Sequence, residues 1–241
     1  MKKKPPIGVL VADFERHLAY YEANPPFARP KQLAAHRRTI DLRRRLGSAV
    51  AAVADDKFLD NLAETLIAWG VGSHDAILVE TPEFRSQMRR RAVEIAALDG
   101  ILVDQADTAT GDRIWRIIRS LDIVLGRRTL KPTQSKLVGG SKALHHLLPE
   151  LVVPVDRMYT APFLLRIQPQ HFQNPSKEAE TFRIAFESVR AVAKAANPAQ
   201  YVDRSEWDIS RSKVIDNAIV GFIRSLRDKL EAKRPRTKES K

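Results

Sequence analysis

Apolar residues at Ile114, Ile117, Ile118, Leu121, Val124 and Leu125 return every three or four positions, a spacing that gathers them on one side of an α-helix and would scatter them over both faces of a strand. The same period governs the chain wherever a pattern can be read. It predicts a helix over 11–23, ended by Asn24-Pro25-Pro26-Phe27-Ala28-Arg29-Pro30, and a long helix over 31–54 with Leu42, Leu46, Val50 and Val53 inward. Phe58, Leu59, Leu62, Leu66 and Ile67 mark a helix over 57–69 that stops at Gly70-Val71-Gly72. Thr81 is placed to cap a helix, with Pro82 at its first position and Glu83 in its first turn, leading into 84–98. Pro162 opens a short helix over 163–167. Asn174-Pro175 starts another, with Phe182, Ala185, Phe186, Val189, Val192, Ala193 and Ala196 on one face and Asn197-Pro198 at its end. The last helix, 211–231, turns Ile215, Ile219, Phe222, Leu226 and Leu230 inward. No alternating run is long enough for a sheet, so the fold class is mostly α, a multi-helix globule.

With 44% apolar residues in 241 and no low-complexity middle, the chain can bury a proper core. It divides into a basic N-terminal arm over 1–10, a helical region over 11–231 built as one body or two lobes, and a basic tail over 232–241. The absence of cysteine removes disulfides, thiolate zinc and cysteine-held iron–sulfur clusters, and suits a cytoplasmic location. The apolar run after Lys2-Lys3-Lys4 is short and ends in Asp13, Glu15 and Arg16, unlike a signal peptide, and no run approaches a membrane span.

The net charge of +12 is uneven. The two termini carry much of it, but inside the body the segment 113–148 holds eight basic residues (Arg113, Arg116, Arg119, Arg127, Arg128, Lys131, Lys136, Lys142) against the single acid Asp122. A basic segment of this kind favours a phosphate backbone as partner. By contrast, the stripe of Arg37, Arg38, Asp41, Arg44 and Arg45 reads as a solvated helix face.

That basic segment surrounds the stretch best suited to chemistry, 137–156. Gly139 and Gly140 predict a tight turn whose N–H groups can approach a ligand, and Ser141 follows as the cap of the next helix, together the outline of an anion site. Lys142 then falls in a first helical turn, where the helix dipole disfavours a cation unless a phosphate or carboxylate compensates, so it reads as a phosphate contact or, with a lowered pKa, an amine nucleophile. His145 and His146, being adjacent, point about 100° apart on a helix, so one is expected buried and the other exposed; they lack the partners of a metal site, and His145 is the candidate for a hydrogen bond to base or phosphate. Asp156, behind Pro154-Val155, is either a helix cap or a carboxylate aimed at a sugar carbon or a water; one residue can do both.

Val138-Gly139-Gly140-Ser141-Lys142-Ala143, an apolar helix and then Val153-Pro154-Val155-Asp156 resemble the helix-hairpin-helix DNA glycosylases. The resemblance implies a Gly-rich hairpin gripping the phosphate backbone, Lys142 at the lysine that some members carry, and Asp156 at the catalytic carboxylate. The chain has Val138 where the family hairpin usually begins with glycine, a shorter Lys-to-Asp interval, and Arg157-Met158-Tyr159 after the aspartate. Lacking cysteine, it falls outside the cluster-bearing branch.

On this reading the partner is double-stranded DNA, held by Gly139, Gly140, Ser141, Lys136, Arg127, Arg128 and His145. The nucleotide is flipped into a pocket with Tyr159, then Trp69 and Phe163, as stacking residues. Asp156 supports hydrolytic removal of a damaged or modified base, in repair or in defence against phage with modified DNA. The shortened interval inclines Lys142 away from a lyase role, and neither cofactor nor metal is called for. The rival expectation is a noncatalytic DNA- or RNA-binding protein using the same basic surface.

Overall fold

The computed structural model describes residues 5–26, 30–72, 75–133, 135–165 and 177–232. Among them the helices are α1 (Ile7–Ala12), α2 (Phe14–Ala23), α3 (Pro30–Leu46), α4 (Ala49–Ala54), α5 (Asp56–Ala68), α6 (Thr81–Arg89), α7 (Ala92–Ala96), α8 (Thr108–Ser120), α9 (Leu137–Leu147), α10 (Thr160–Leu165), α11 (Glu178–Ala196) and α12 (Arg211–Ala232). No helix among the described residues is long and apolar enough to cross a membrane. The expected helix start at Asn174-Pro175 and the tail from 233 lie outside the described residues.

Several boundaries differ from the periodic reading, each for a local reason. Residues 7–10 are not an arm: they form most of α1, and Leu10 is fully buried. The long helix over 31–54 breaks at Gly47, which takes a left-handed φ of 75°, and Ser48 restarts it by accepting a hydrogen bond from the Ala51 N–H at 3.1 Å. The break turns Val50 to solvent. Ile67, on the outer side of α5, is also exposed. Thr81 is not a cap but the first residue of α6, after Glu80, and the helix expected over 84–98 divides at Arg90-Arg91. Arg85 reaches Asp56 and Asp60, and Arg89 reaches Asp56, tying α6 to α5.

The stripe from Ile114 to Leu121 holds as α8, capped by Asp107, whose carboxylate accepts from the Thr110 N–H at 2.7 Å. Val124 and Leu125 do not continue it. The chain turns extended at Leu121, and β2 (Val124–Gly126) pairs antiparallel with β1 (Ala76–Leu78), Ile77 opposite Leu125. A three-residue strand leaves too little alternation to be seen in the sequence.

The apolar side chains form two main clusters. The larger joins α4 to α9 with Phe182 and Phe186; the second joins α1, α2, α10, α11 and α12. Both draw on α11, whose Ala185, Val189, Val192 and Ala193 face the second cluster. Helices α2 and α12 meet backbone to backbone at Gly221, where a Cβ would intrude on the His17 carbonyl oxygen and lie 3.2 Å from the Tyr21 nitrogen. Farther along α12, past this crossing, Leu226 and Leu230 are exposed rather than inward. A small third cluster, Tyr21, Trp207 and Val220, is flanked by Leu33, Trp69 and Tyr159 and adjoins the site described next.

Candidate functional site

The glycine pair does not form a turn. Helix α9 begins at Leu137, so Gly139 and Gly140 lie inside it, and the Gly140 N–H is spent on the Lys136 carbonyl at 2.9 Å. Their small size serves packing instead. A Cβ on Gly140 would stand 2.9 Å from Ile118 Cγ2, and one on Gly139 the same distance from Val124 Cγ2, so the pair lets α9 lie directly on α8 and β2. Ser141 is not a cap but fully buried: its hydroxyl accepts from the Val155 N–H at 3.0 Å and so ties α9 to the segment leading into Asp156.

The anion-binding end of α9 is at Lys136, and the chain fills it itself. The Glu178 carboxylate, from the start of α11, accepts from the Lys136 N–H at 2.9 Å, the Leu137 N–H at 3.3 Å and the Ser135 hydroxyl at 2.6 Å. A carboxylate is what the positive end of a helix dipole stabilises. The Lys136 ammonium is paired with Asp122 at 2.6 Å. Arg127 and Arg128 are exposed in the turn after β2.

Lys142 falls in the second turn of α9 and points inward. The residue as a whole is half-buried, but its ammonium is enclosed and donates to the Trp69 carbonyl at 2.7 Å. Burial pushes its pKa below the usual lysine value; Asp156 and Asp216 oppose that shift, and Lys213 and Arg157 add to it. These five side chains therefore belong to one electrostatic cluster, drawn from α9, the turn before α10, and α12.

Both histidines are fully buried, where one exposed ring was expected. Their tautomers follow from their partners. His146 Nδ1 lies 2.8 Å from the Lys142 carbonyl, which can only accept, so Nδ1 carries the proton and Nε2 accepts from His36 Nδ1 at 2.9 Å. His145 Nδ1 donates to the Val152 carbonyl at 2.8 Å. His36 and His145 are thus left with bare Nε2 lone pairs, and neither finds a partner among the described residues. Burial lowers the pKa of all three rings, to about 4 for His146. Among the described residues no three His, Asp or Glu side chains are arranged to hold a metal ion.

Around these rings lies a polar centre. Lys213, 1% exposed, is 2.6 Å from Asp216 Oδ2, and its Nζ stands 5.5 Å from the ring centroids of Trp69 and Trp207 and 5.7 Å from that of Tyr21. The His36 ring stacks on Trp207 and, at 4.7 Å, tilts against Trp69. The Tyr21 hydroxyl, Trp69 Nε1, Asp216 Oδ1 and Asn217 Oδ1 are also buried without partners among the described residues. Buried polar atoms are ordinarily paired, so these atoms leave unusual hydrogen-bonding capacity within the protein.

Asp156 is the cap of the turn into α10. Its Oδ1 accepts from the N–H groups of Met158 and Tyr159, both at 2.6 Å, and its Oδ2 from the Thr160 hydroxyl at 2.8 Å. The carboxylate is fixed and partly exposed. Tyr159 sits beside it, with the Arg227 guanidinium over its ring at 5.2 Å. Phe163 is elsewhere: it is buried in the second core with its edge toward Phe222. Lys142, Trp69 and His145 are thus in direct contact with the polar centre and Tyr159 flanks it, whereas Lys136 is spent on Asp122 and the Phe163 side chain belongs to the second core.

No protein-family model, curated protein or solved structure matches this chain.

Local reading of the sequence passed over His36, Trp207, Lys213 and Asp216. One signal was present. Lys213 and Asp216 stand three apart among Val214, Ile215, Ala218 and Ile219, and two charges inside an apolar helical face must be paired to be tolerated.

Proposed function

We propose that this protein is a DNA glycosylase-like enzyme that extrudes a damaged or modified nucleotide and cleaves its base from the sugar, with Lys142 and Asp156 at the reacting carbon. The observation that carries the reading is the enclosed Lys142 amine, held on the Trp69 carbonyl at 2.7 Å; burial lowers its pKa, and the Asp156 carboxylate is among the charges acting on it. Breaking an N-glycosidic bond leaves the electron pair on the departing base and positive charge on the sugar. A carboxylate held by donors from Met158, Tyr159 and Thr160, as Asp156 is, meets that charge without having to reorganise.

The enclosed position of Lys142 shifts its reading from phosphate contact to nucleophile. A neutral amine attacking the sugar carbon forms the Nζ–C1′ bond as the C1′–base bond breaks, and the proton lost from nitrogen passes to the leaving base or to Asp156. Water attacking in its place gives simple hydrolysis. Tyr159 is the stacking residue of this reading, an extruded base taking the place of the Arg227 guanidinium that now covers its ring, whereas the Trp69 ring is already held between Lys213 and His36. With the end of α9 occupied by Glu178, the phosphate contacts fall to the exposed arginines: Arg116 and Arg119 one turn apart on α8, and Arg127 and Arg128 after β2.

The deciding experiment is incubation with duplexes carrying damaged, methylated and glucosylated bases, followed by alkaline cleavage of abasic sites, in parallel with borohydride trapping. Base release with a trapped adduct on Lys142 supports the lyase form, and release without one supports hydrolysis. Salt-dependent binding with no product across the panel overturns the catalytic reading in favour of a noncatalytic nucleic-acid-binding protein. Failure to bind at moderate salt overturns both.

A further inference from the structure

A lysine enclosed on all sides among aromatic rings, as Lys213 is, occupies volume that apolar side chains would fill at lower cost. Its contacts lead to Lys142. The Lys213 ammonium faces the Trp69 ring, and the carbonyl of that same Trp69 accepts from the Lys142 ammonium at 2.7 Å. Trp69 itself ends α5, and its own N–H is spent on the Thr65 carbonyl at 2.8 Å, so the residue is held at backbone and ring alike. On its other side Lys213 is anchored to Asp216, one turn along α12.

We propose that Lys213 is a positioning residue for Lys142: caged by Tyr21, Trp69 and Trp207 and anchored by Asp216, it holds Trp69 as the seat of the Lys142 amine and places a second positive charge near that amine.

Two like charges in one enclosed space disfavour each other, and Lys213 acts on Lys142 in that sense. The groups facing Lys142 are Asp156 and Arg157 from the turn before α10, Asp216 and Lys213 from α12, and His146 from its own helix, whose ring donates to the Lys142 carbonyl. The carboxylates favour the ammonium form and the cations the free amine. Lys213 and Asp216 thus form an opposed pair, its cation working for the free amine and its anion against. The role of this pair in a reaction rests on the glycosylase reading; its effect on Lys142 does not.

The test needs no DNA. Full-length protein labelled with [13C]lysine is titrated by NMR, the Lys142 Cε resonance being assigned with Lys142→Arg. Lys213→Met is expected to raise the titration midpoint of Lys142 and Asp216→Asn to lower it, each by about half a pH unit or more, with the double variant between them. Opposite signs from two neighbouring substitutions cannot come from general loosening of the site, which would move both toward the ordinary lysine value. If both move the same way, or neither moves, the proposal is overturned. Should Lys213→Met not fold, Lys213→Arg must leave the midpoint near that of the unmodified protein while Asp216→Asn still lowers it; any other pattern overturns the proposal. A positive titration with a silent base-release panel sinks the glycosylase reading and leaves this inference standing.

Discussion

The carboxylate of Glu178 accepts from the backbone N–H of Lys136 and thereby closes the N-terminus of α9 from a position 42 residues away in the chain. The contact joins α11 to the helix that carries Lys142. Glu178→Ala leaves the N–H groups of Lys136 and Leu137 and the Ser135 hydroxyl without their acceptor, so a loss of about 1–3 kcal/mol is expected in urea unfolding. Glu178→Gln, which keeps one acceptor but not the charge, is expected to lose less. Equal stability of all three proteins would show that the contact does not hold the helix end.

Asp156→Asn retains an acceptor for the Met158 and Tyr159 N–H groups, so the turn into α10 should survive, and the thermal midpoint should change little. On the glycosylase reading base release should fall by about a hundredfold or more, with DNA binding unchanged or tighter. Full activity in this variant would remove Asp156 from the chemistry.

Acid stability follows from the three buried rings. His36, His145 and His146 are held below the ordinary histidine pKa of 6.5 by burial, to about 4 for His146. Between those values the unfolded chain binds protons that the folded chain refuses, so stability is full above about 6.5 and is lost as pH falls toward 4. His146 alone accounts for about 3 kcal/mol of that loss. Urea unfolding at pH 7.5 and pH 4.5 checks it, and His146→Gln should flatten the slope. A pH-independent midpoint would mean that the rings titrate normally.

Two glycines separate backbone approach from helix propensity. Gly221→Ala puts a methyl group against the His17 carbonyl and should cost about 3 kcal/mol or more, or prevent folding, because neither backbone can yield without moving α2 or α12. Gly8→Ala, in α1 with open space around it, should be neutral or stabilise by up to about 1 kcal/mol. Comparable effects at the two positions would argue against the close crossing.

How much of this was legible beforehand can be followed residue by residue. Phe182, Ala185, Phe186, Val189, Val192 and Ala193 are buried as their spacing predicts, because a 3.6-residue period is a property of the chain alone. The division of the 31–54 helix at Gly47 was also present in the chain, in a Gly-Ser pair whose left-handed and capping conformations interrupt the helix. Gly139 and Gly140 show the opposite case. In sequence a glycine pair signals a turn, and what made it a contact instead was Ile118, some twenty residues earlier, lying against it.

The stretch 137–156 contributes the buried His145 and His146, the inward Lys142 and the capping Asp156, while its geometry was not readable in the sequence. By itself the sequence determined the mostly α architecture, through local periodicity and capping. Only the tertiary structure decided that the anion site is filled by Glu178, that Lys142 faces inward, and that Lys213 and Asp216 stand behind it. Those are matters of burial and of charge meeting charge across distant segments, and no local pattern encodes which segments will meet.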